Sequence, residues 1–150
     1  MIVKNEAHVI ERCLNSALPM LDFVRVVDTG STDDTVHIIR KWCMDNGINC
    51  MVRLSERDNS EGFDFAANRN DALSFARECE ATHLLLIDAD EVLHINAREV
   101  SMLRTKLAET EDVGFVFPML YGTNVCVRTN LVRNTERVAY RFPHHEELLV

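Results

Sequence analysis

Leu84-Leu85-Leu86-Ile87-Asp88-Ala89-Asp90-Glu91 changes within two residues from wholly apolar to densely acidic. A short, unbroken apolar run preceded by a helix-like segment reads as a strand buried on both faces of a parallel sheet. Ligands of open α/β sheets gather at the carboxyl ends of such strands. Three carboxylates crowded at that end repel one another unless a cation or a protonation change relieves them. The plainer alternative is an acidic strand-to-helix turn facing solvent.

Working outward, Phe65 to Glu80 is predicted to be the preceding helix, with Ala66, Leu73 and Ala76 on its apolar side. Phe23 to Val27 reads as a strand, Asp28 to Thr35 as a capped turn, and Val36, Ile39, Trp42 and Cys43 as a helix stopped at Asn46-Gly47. Asn49 to Leu54 supplies a third strand, and Met1-Ile2-Val3 the end of another. Asn5 is expected to cap a helix whose stripe Val9, Ile10, Cys13, Leu14, Ala17 and Leu18 ends at Pro19. Ser55 to Asp64 is polar and aperiodic, a candidate loop over a site. Downstream, Asn96 and Glu99 form a capping-box pattern, and Gly114–Leu120, Val125–Val132 and Val138–Phe142 read as strands. Alternating strands and helices followed by strands alone imply α/β: a mostly parallel central sheet flanked by helices, with antiparallel β additions near the C-terminus. Residues 1–150 read as one domain, clipped at both ends.

The 150 residues are 47% hydrophobic and 27% charged, enough for an ordinary core. A formal net charge of −8 argues against a nucleic-acid or anionic-membrane partner. Five scattered cysteines without CxxC spacing suggest reduced thiols and a cytoplasmic home. No apolar run approaches the roughly 20 residues of a membrane span.

In such a sheet, Asn5 and Glu6 after the first strand, Asp28 after the second, and Asp88 and Asp90 after the fourth face one crevice. The chain has neither GxGxxG nor GxxxxGK[ST], so dinucleotide and P-loop phosphate cradles are absent. Asp88-Ala89-Asp90 offers another way to meet a diphosphate. Mg²⁺ and Mn²⁺ prefer oxygen ligands, and Mg²⁺ commonly takes one or two carboxylates plus substrate phosphates.

Met1-Ile2-Val3-Lys4-Asn5-Glu6, Val27-Asp28-Thr29-Gly30-Ser31-Thr32-Asp33-Asp34-Thr35, Arg69-Asn70-Asp71-Ala72-Leu73 and Leu86-Ile87-Asp88-Ala89-Asp90-Glu91 resemble, in that order, segments of the family 2 glycosyltransferases. The resemblance is closest to a bacterial branch that ends in a late His-Glu, here His145-Glu146. It implies a GT-A fold, Rossmann-like, and inverting transfer of a sugar from a nucleotide-diphosphate sugar, commonly a UDP-sugar. It also implies a divalent cation (Mn²⁺ or Mg²⁺) held by Asp90, with Asp88 near the ribose or metal and His145 in support. Asn5, Glu6, Asp28, Arg69 and Asp88 would bind the donor, with Glu146 as catalytic base and Glu91 second choice. Thr29 departs from relatives that carry a second Asp there, which leaves base selectivity open. Arg133 and Arg141 are further candidate diphosphate partners. The acceptor, whether glycan, lipid or protein, and the oligomeric state are not specified. Missing parts would allow attachment to the cytoplasmic face of a membrane.

Two other readings compete. A nucleotidyltransferase would bring a Gly-rich basic loop after the first strand, where this chain has Lys4-Asn5-Glu6-Ala7. A non-catalytic fragment would bind nucleotide and metal without turnover.

Overall fold

The structure, a computed structural model, describes residues 1–58, 60, 62–121, 123–143 and 147–150. Strand β2 (Phe23–Asp28) is the centre of a parallel sheet, with β1 (Ile2–Val3) on one side and β3 (Asn49–Leu54) on the other. Its valines point both ways, which is why a β-branched run suits it. Val24 and Val26 pack with Ile10 and Leu14 of helix α1 (Ile10–Ala17) and with Ile39 and Trp42 of α2 (Thr35–Asp45). Val27 packs on the opposite face with Ala72 and Phe75 of α3 (Phe65–Arg77). Each Val, Leu, Ile or Phe among them, fully buried, contributes about 1.5–3 kcal/mol.

Helix α3 also serves a second group of strands. Its Leu73 joins Leu84, Val132 and Val138 in a separate apolar cluster. Leu84 lies on β4 (His83–Leu85), which pairs antiparallel with β6 (Asn124–Arg133), itself paired with β5 (Gly114–Tyr121). Adjacent positions 72 and 73 thus face different sheets, and the helix holds the two together. A short antiparallel pair, β7 (Ala139–Arg141) and β8 (Glu147–Leu149), follows. Between β4 and β5 runs α4 (Ala97–Glu109), opened by a complete Asn96–Glu99 capping box as its sequence predicts. The Asn46-Gly47 stop also forms, with Gly47 at φ +67°.

Two expectations are revised. Strand β4 covers His83–Leu85 and hydrogen-bonds, among the described residues, to the antiparallel β6. A cavity of about 440 Å³ lies between it and the β1–β2 edge, lined by Ile2, Phe23, Arg25, Leu84 and Leu86 among others. The apolar run is therefore covered less completely than a strand flanked on both sides: Leu84 is buried, whereas Leu85 to Ile87 are half-buried. Asn5 does not cap α1, whose N-cap is Val9 with no side-chain cap. Instead it adopts φ +57°, a conformation Asn tolerates, and its side chain reaches the next loop. All five cysteines are free thiols, and among the described residues no helix is long and apolar enough to cross a membrane.

Candidate functional site

The acidic loop after β4 is pinned by its one apolar residue. Ala89 is 5% exposed and sits in the same core as Ile10 and Leu14 of α1, so the aspartates on either side of it are held at the surface of that helix. The Cys13 thiol donates to the Asp88 carbonyl (3.3 Å) and Arg12 Nη2 to the Asp90 carbonyl (3.0 Å). Leu93 N–H donates to Ser16 Oγ at 2.9 Å. Burial pushes the Cys13 thiol up to about 12, with the Glu91 charge adding to it, so it stays protonated and able to donate. A tight turn closes the loop, Glu91 N–H donating to the Asp88 carbonyl at 3.1 Å and Asp88 N–H to Glu91 Oε2 at 2.9 Å.

Two guanidinium groups meet these carboxylates. Arg69, on α3, forks onto Asp88, with Nη1 to Oδ1 at 2.7 Å and Nη2 to Oδ2 at 3.0 Å. Its own position is set by Tyr140, whose ring centroid lies 5.5 Å from the guanidinium carbon. Arg128, on β6, places Nη2 at 2.6 and 2.8 Å from the two Glu91 oxygens and Nη1 at 3.5 Å from Asp88 Oδ2. Burial alone pushes the Asp88 carboxyl up, but the Arg69 hydrogen bonds and charge, joined by the Arg128 charge, outweigh it and hold it below the ordinary carboxylate value. At Glu91 burial dominates and raises the carboxyl, only partly opposed by the Asp88 amide and Arg128. Asp90 differs from both: it is exposed, and among the described residues its carboxylate accepts no hydrogen bond.

Arg128 is the residue that sequence reasoning passed over, because only the pairing of the strands reveals it. Strand β4 pairs with β6 so that His83 faces Arg133 and Leu85 faces Leu131. Continuing that register three residues beyond Leu85 sets Arg128 across from Asp88. Along β6 the pairing with β5 slips between Phe115 and Val116, which leaves Asn130 as an extra residue. Bulges of this kind recur beside functional sites. The same register puts Arg133 at the opposite end of β4, where its Nη2 donates to the Thr110 carbonyl, remote from the acidic loop. Arg141 is exposed at the end of β7.

The other rim residues form a second network. Asp28, 6% exposed, accepts from Ser31 N–H at 3.1 Å and from Ser31 Oγ–H at 2.6 Å. Asn5 Oδ1 accepts from Thr32 N–H at 2.8 Å, while Asn5 N–H donates to Ser31 Oγ at 3.0 Å. Glu6 N–H donates to Thr35 Oγ1 at 2.8 Å. The loops after β1 and β2 are thereby laced together, and α1, launched from the first of them, carries the acidic loop on its flank. No hydrogen bond among the described residues joins Asp28 directly to Asp88.

His145 and Glu146 lie outside the described residues. The strand leading to them is tied to the Arg69 helix: Tyr140 N–H donates to Asn70 Oδ1 at 2.7 Å, Asn70 Nδ2 to the Tyr140 carbonyl at 2.9 Å, and Phe65 N–H to the Pro143 carbonyl at 3.1 Å. A small cavity of about 80 Å³ opens there, lined by Arg69, Arg128, Thr129, Tyr140 and Leu148. The larger cavity lies mainly between the sheets; Arg69 borders both cavities, and Arg128 lines the small one.

The donor set suits a hard cation. Asp88, Asp90 and Glu91 offer only oxygen, as Mg²⁺ and Mn²⁺ prefer. Among the described residues no cluster of three potential metal ligands exists. A cation at this loop would have at most two of these carboxylates as ligands and would need substrate phosphates to complete its shell.

Comparison with known proteins agrees with this architecture. The family model described as "Glycosyl transferase family 2" matches residues 1–147. A TPR repeat-containing protein of Synechococcus elongatus is 31% identical over 97% of this chain, and the chain spans about a third (34%) of that relative's length. The crystal structure of an S. aureus TarS fragment in complex with UDP superposes with a TM-score of 0.61 and 26% identity, covering 83% of this chain and 36% of that one. A second TarS structure, at 22% identity and TM-score 0.65, covers 89% of this chain and 27% of its own, and shows the fold alone.

Proposed function

The chain belongs to glycosyl transferase family 2 with a GT-A fold, and from that premise we propose that it carries the donor half of an inverting, divalent-cation-dependent sugar transfer from a UDP-sugar. The observation that carries the reading is the pairing of Asp88 with Arg69 and of Glu91 with Arg128 in the loop after β4, with the exposed Asp90 next to them in sequence. UDP enters the proposal because the TarS structure at 26% identity holds it.

On this reading the network of Asp28, Asn5 and Glu6 forms the nucleoside end of the crevice, and the acidic loop forms the diphosphate end. Asp90 would hold the cation with Asp88 beside it, and His145 would support the metal or the diphosphate. Bound Mg²⁺ or Mn²⁺ supplies Lewis-acid stabilisation of the negative charge that develops on the leaving diphosphate. Arg69 fixes the Asp88 carboxylate so that it need not reorganise as that charge grows. An acceptor hydroxyl attacks the anomeric carbon from the face opposite the diphosphate. The new glycosidic C–O bond forms as the bond to UDP breaks, and Glu146 takes the acceptor's proton. Glu91 has both oxygens turned to Arg128 and is better suited to holding the loop than to accepting a proton.

The test is release of free UDP from a panel of UDP-sugars, with and without Mn²⁺. Metal-dependent release from at least one sugar nucleotide is expected. Binding of UDP with no release from any member would favour the non-catalytic alternative, and formation of a nucleotide-diphosphate sugar with release of pyrophosphate from a nucleoside triphosphate and a sugar phosphate would favour the nucleotidyltransferase.

A further inference from the structure

We propose that the cavity between β2 and β4 is a strand-binding slot, and that its occupant is a short apolar segment running into Met1 in line with β1. The slot is independent of the donor chemistry proposed above.

Both long edges of the cavity carry backbone groups that have no strand partner among the described residues. Strand β1 reaches only Val27 and Asp28 of β2, with Ile2 across from Val27 and Val3 across from Asp28. Val27 N–H donates to the Met1 carbonyl and Thr29 N–H to the Val3 carbonyl, so alternate amides of β2 point to this side and the next in line is that of Arg25. On the facing edge, Leu86 N–H donates to the Asn130 carbonyl and Asn134 N–H to the Thr82 carbonyl, both along the β4–β6 pairing. The His83 and Leu85 amides therefore turn the other way, toward the cavity that these residues line. The Met1 nitrogen, donating to the Arg25 carbonyl at 3.2 Å, already stands where a longer ladder would continue.

The faces of the slot decide what fits between those edges. Ala72, Leu73 and Ala76 of α3 line it, as do Leu21 and Leu107. Ala72 belongs to the apolar cluster on one face of β2, and Leu21 packs against the cluster on the other. A chain segment held there is covered on both faces, which calls for an unbroken apolar run and not an alternating one. An acyl chain or another apolar small molecule would leave the amides of both edges unpaired, and buried backbone donors without partners are costly. A peptide strand meets them. In the β1 register Met1 falls opposite Val26, so Arg25, Val24 and Phe23 remain to be faced, a span of about 10 Å at the usual rise per residue. With the slot filled, β2 and β4 lie in one sheet, and the loops that carry Asp28 and Asp88 at their carboxyl ends hang from one ladder.

The test is the whole chain carrying a Val-Val-Val extension joined to Met1, set against Gly-Ser-Gly and Val-Pro-Val extensions of equal length. The tri-valine form should melt about 5–10 °C above the unextended chain. Its Arg25, His83 and Leu85 amides should exchange with solvent about tenfold more slowly, or better. Gly-Ser-Gly, which brings no apolar side chain to the slot, should leave both readouts near those of the unextended chain. Val-Pro-Val, whose proline removes the N–H directed at the Phe23 carbonyl, should fall between the two. A tri-valine chain that melts no higher than the Gly-Ser-Gly chain would overturn the slot, and so would a higher melting temperature with unchanged exchange at Arg25 and on β4.

Discussion

Asp90→Asn is expected to abolish the Mn²⁺-dependent thermal stabilisation by UDP while leaving the unliganded melting temperature within about 2 °C of the parent. Asp90 is exposed and its carboxylate accepts no hydrogen bond among the described residues, so the fold does not draw on its charge. At UDP one hundred times its dissociation constant, the lost stabilisation is about 2.7 kcal/mol. Asp88→Asn makes the contrast. It also removes the partner of the Arg69 fork, a part-buried charge-assisted pair, and should destabilise the unliganded chain by about 1–3 kcal/mol in addition to losing the nucleotide response. Differential scanning fluorimetry of both variants with UDP, GDP and CDP, each with and without Mn²⁺, reads the two effects separately. Equal loss of unliganded stability in the two variants would contradict the division of labour between them.

Glu146→Gln is expected to lower kcat for sugar transfer by about 10²- to 10⁴-fold, the usual yield of a positioned general base. Donor affinity should be unchanged, because Glu146 is assigned to the acceptor's proton and not to the diphosphate. Glu91→Gln should behave differently. Its carboxylate takes both Arg128 bonds and the Asp88 amide, so its loss should appear first as weaker donor binding and a lower melting temperature. Single-turnover rates at saturating donor separate the two cases. A full rate with Glu146→Gln, and a collapse with a well-folded Glu91→Gln, would transfer the base to Glu91.

Much of the parallel half was legible in the sequence because its signals are local. The valines of β2, the Asn46-Gly47 stop and the Asn96–Glu99 box each depend on a few neighbours, and each forms as read. Asn5 misled because Asn serves both helix caps and left-handed turns, and the choice was made by Thr32 and Ser31, 27 and 26 positions away. The partner of β4 was likewise a long-range matter. A run such as Leu84 to Ile87 looks the same whether its neighbour is parallel or antiparallel, and only the β6 register distinguishes them. Arg128 was missed for the same reason: on its own strand it is an unremarkable charge, and its meaning comes from standing across from Asp88. The Asp88–Arg69 pairing, by contrast, was within reach, since a helix running directly into a strand returns its first turns to the strand's carboxyl end.

The central claim is that the loop after β4 is the cation-and-diphosphate end of a sugar-nucleotide site. Paramagnetic broadening by Mn²⁺ in the amide spectrum of the ¹⁵N-labelled chain tests it most directly. With UDP present, sub-stoichiometric Mn²⁺ should broaden the amides of Asp88 to Glu91 first and those of Arg69 and Arg128 next, with a weaker effect when UDP is omitted. Broadening centred on another part of the chain, or none in the presence of both ligands, would contradict the account.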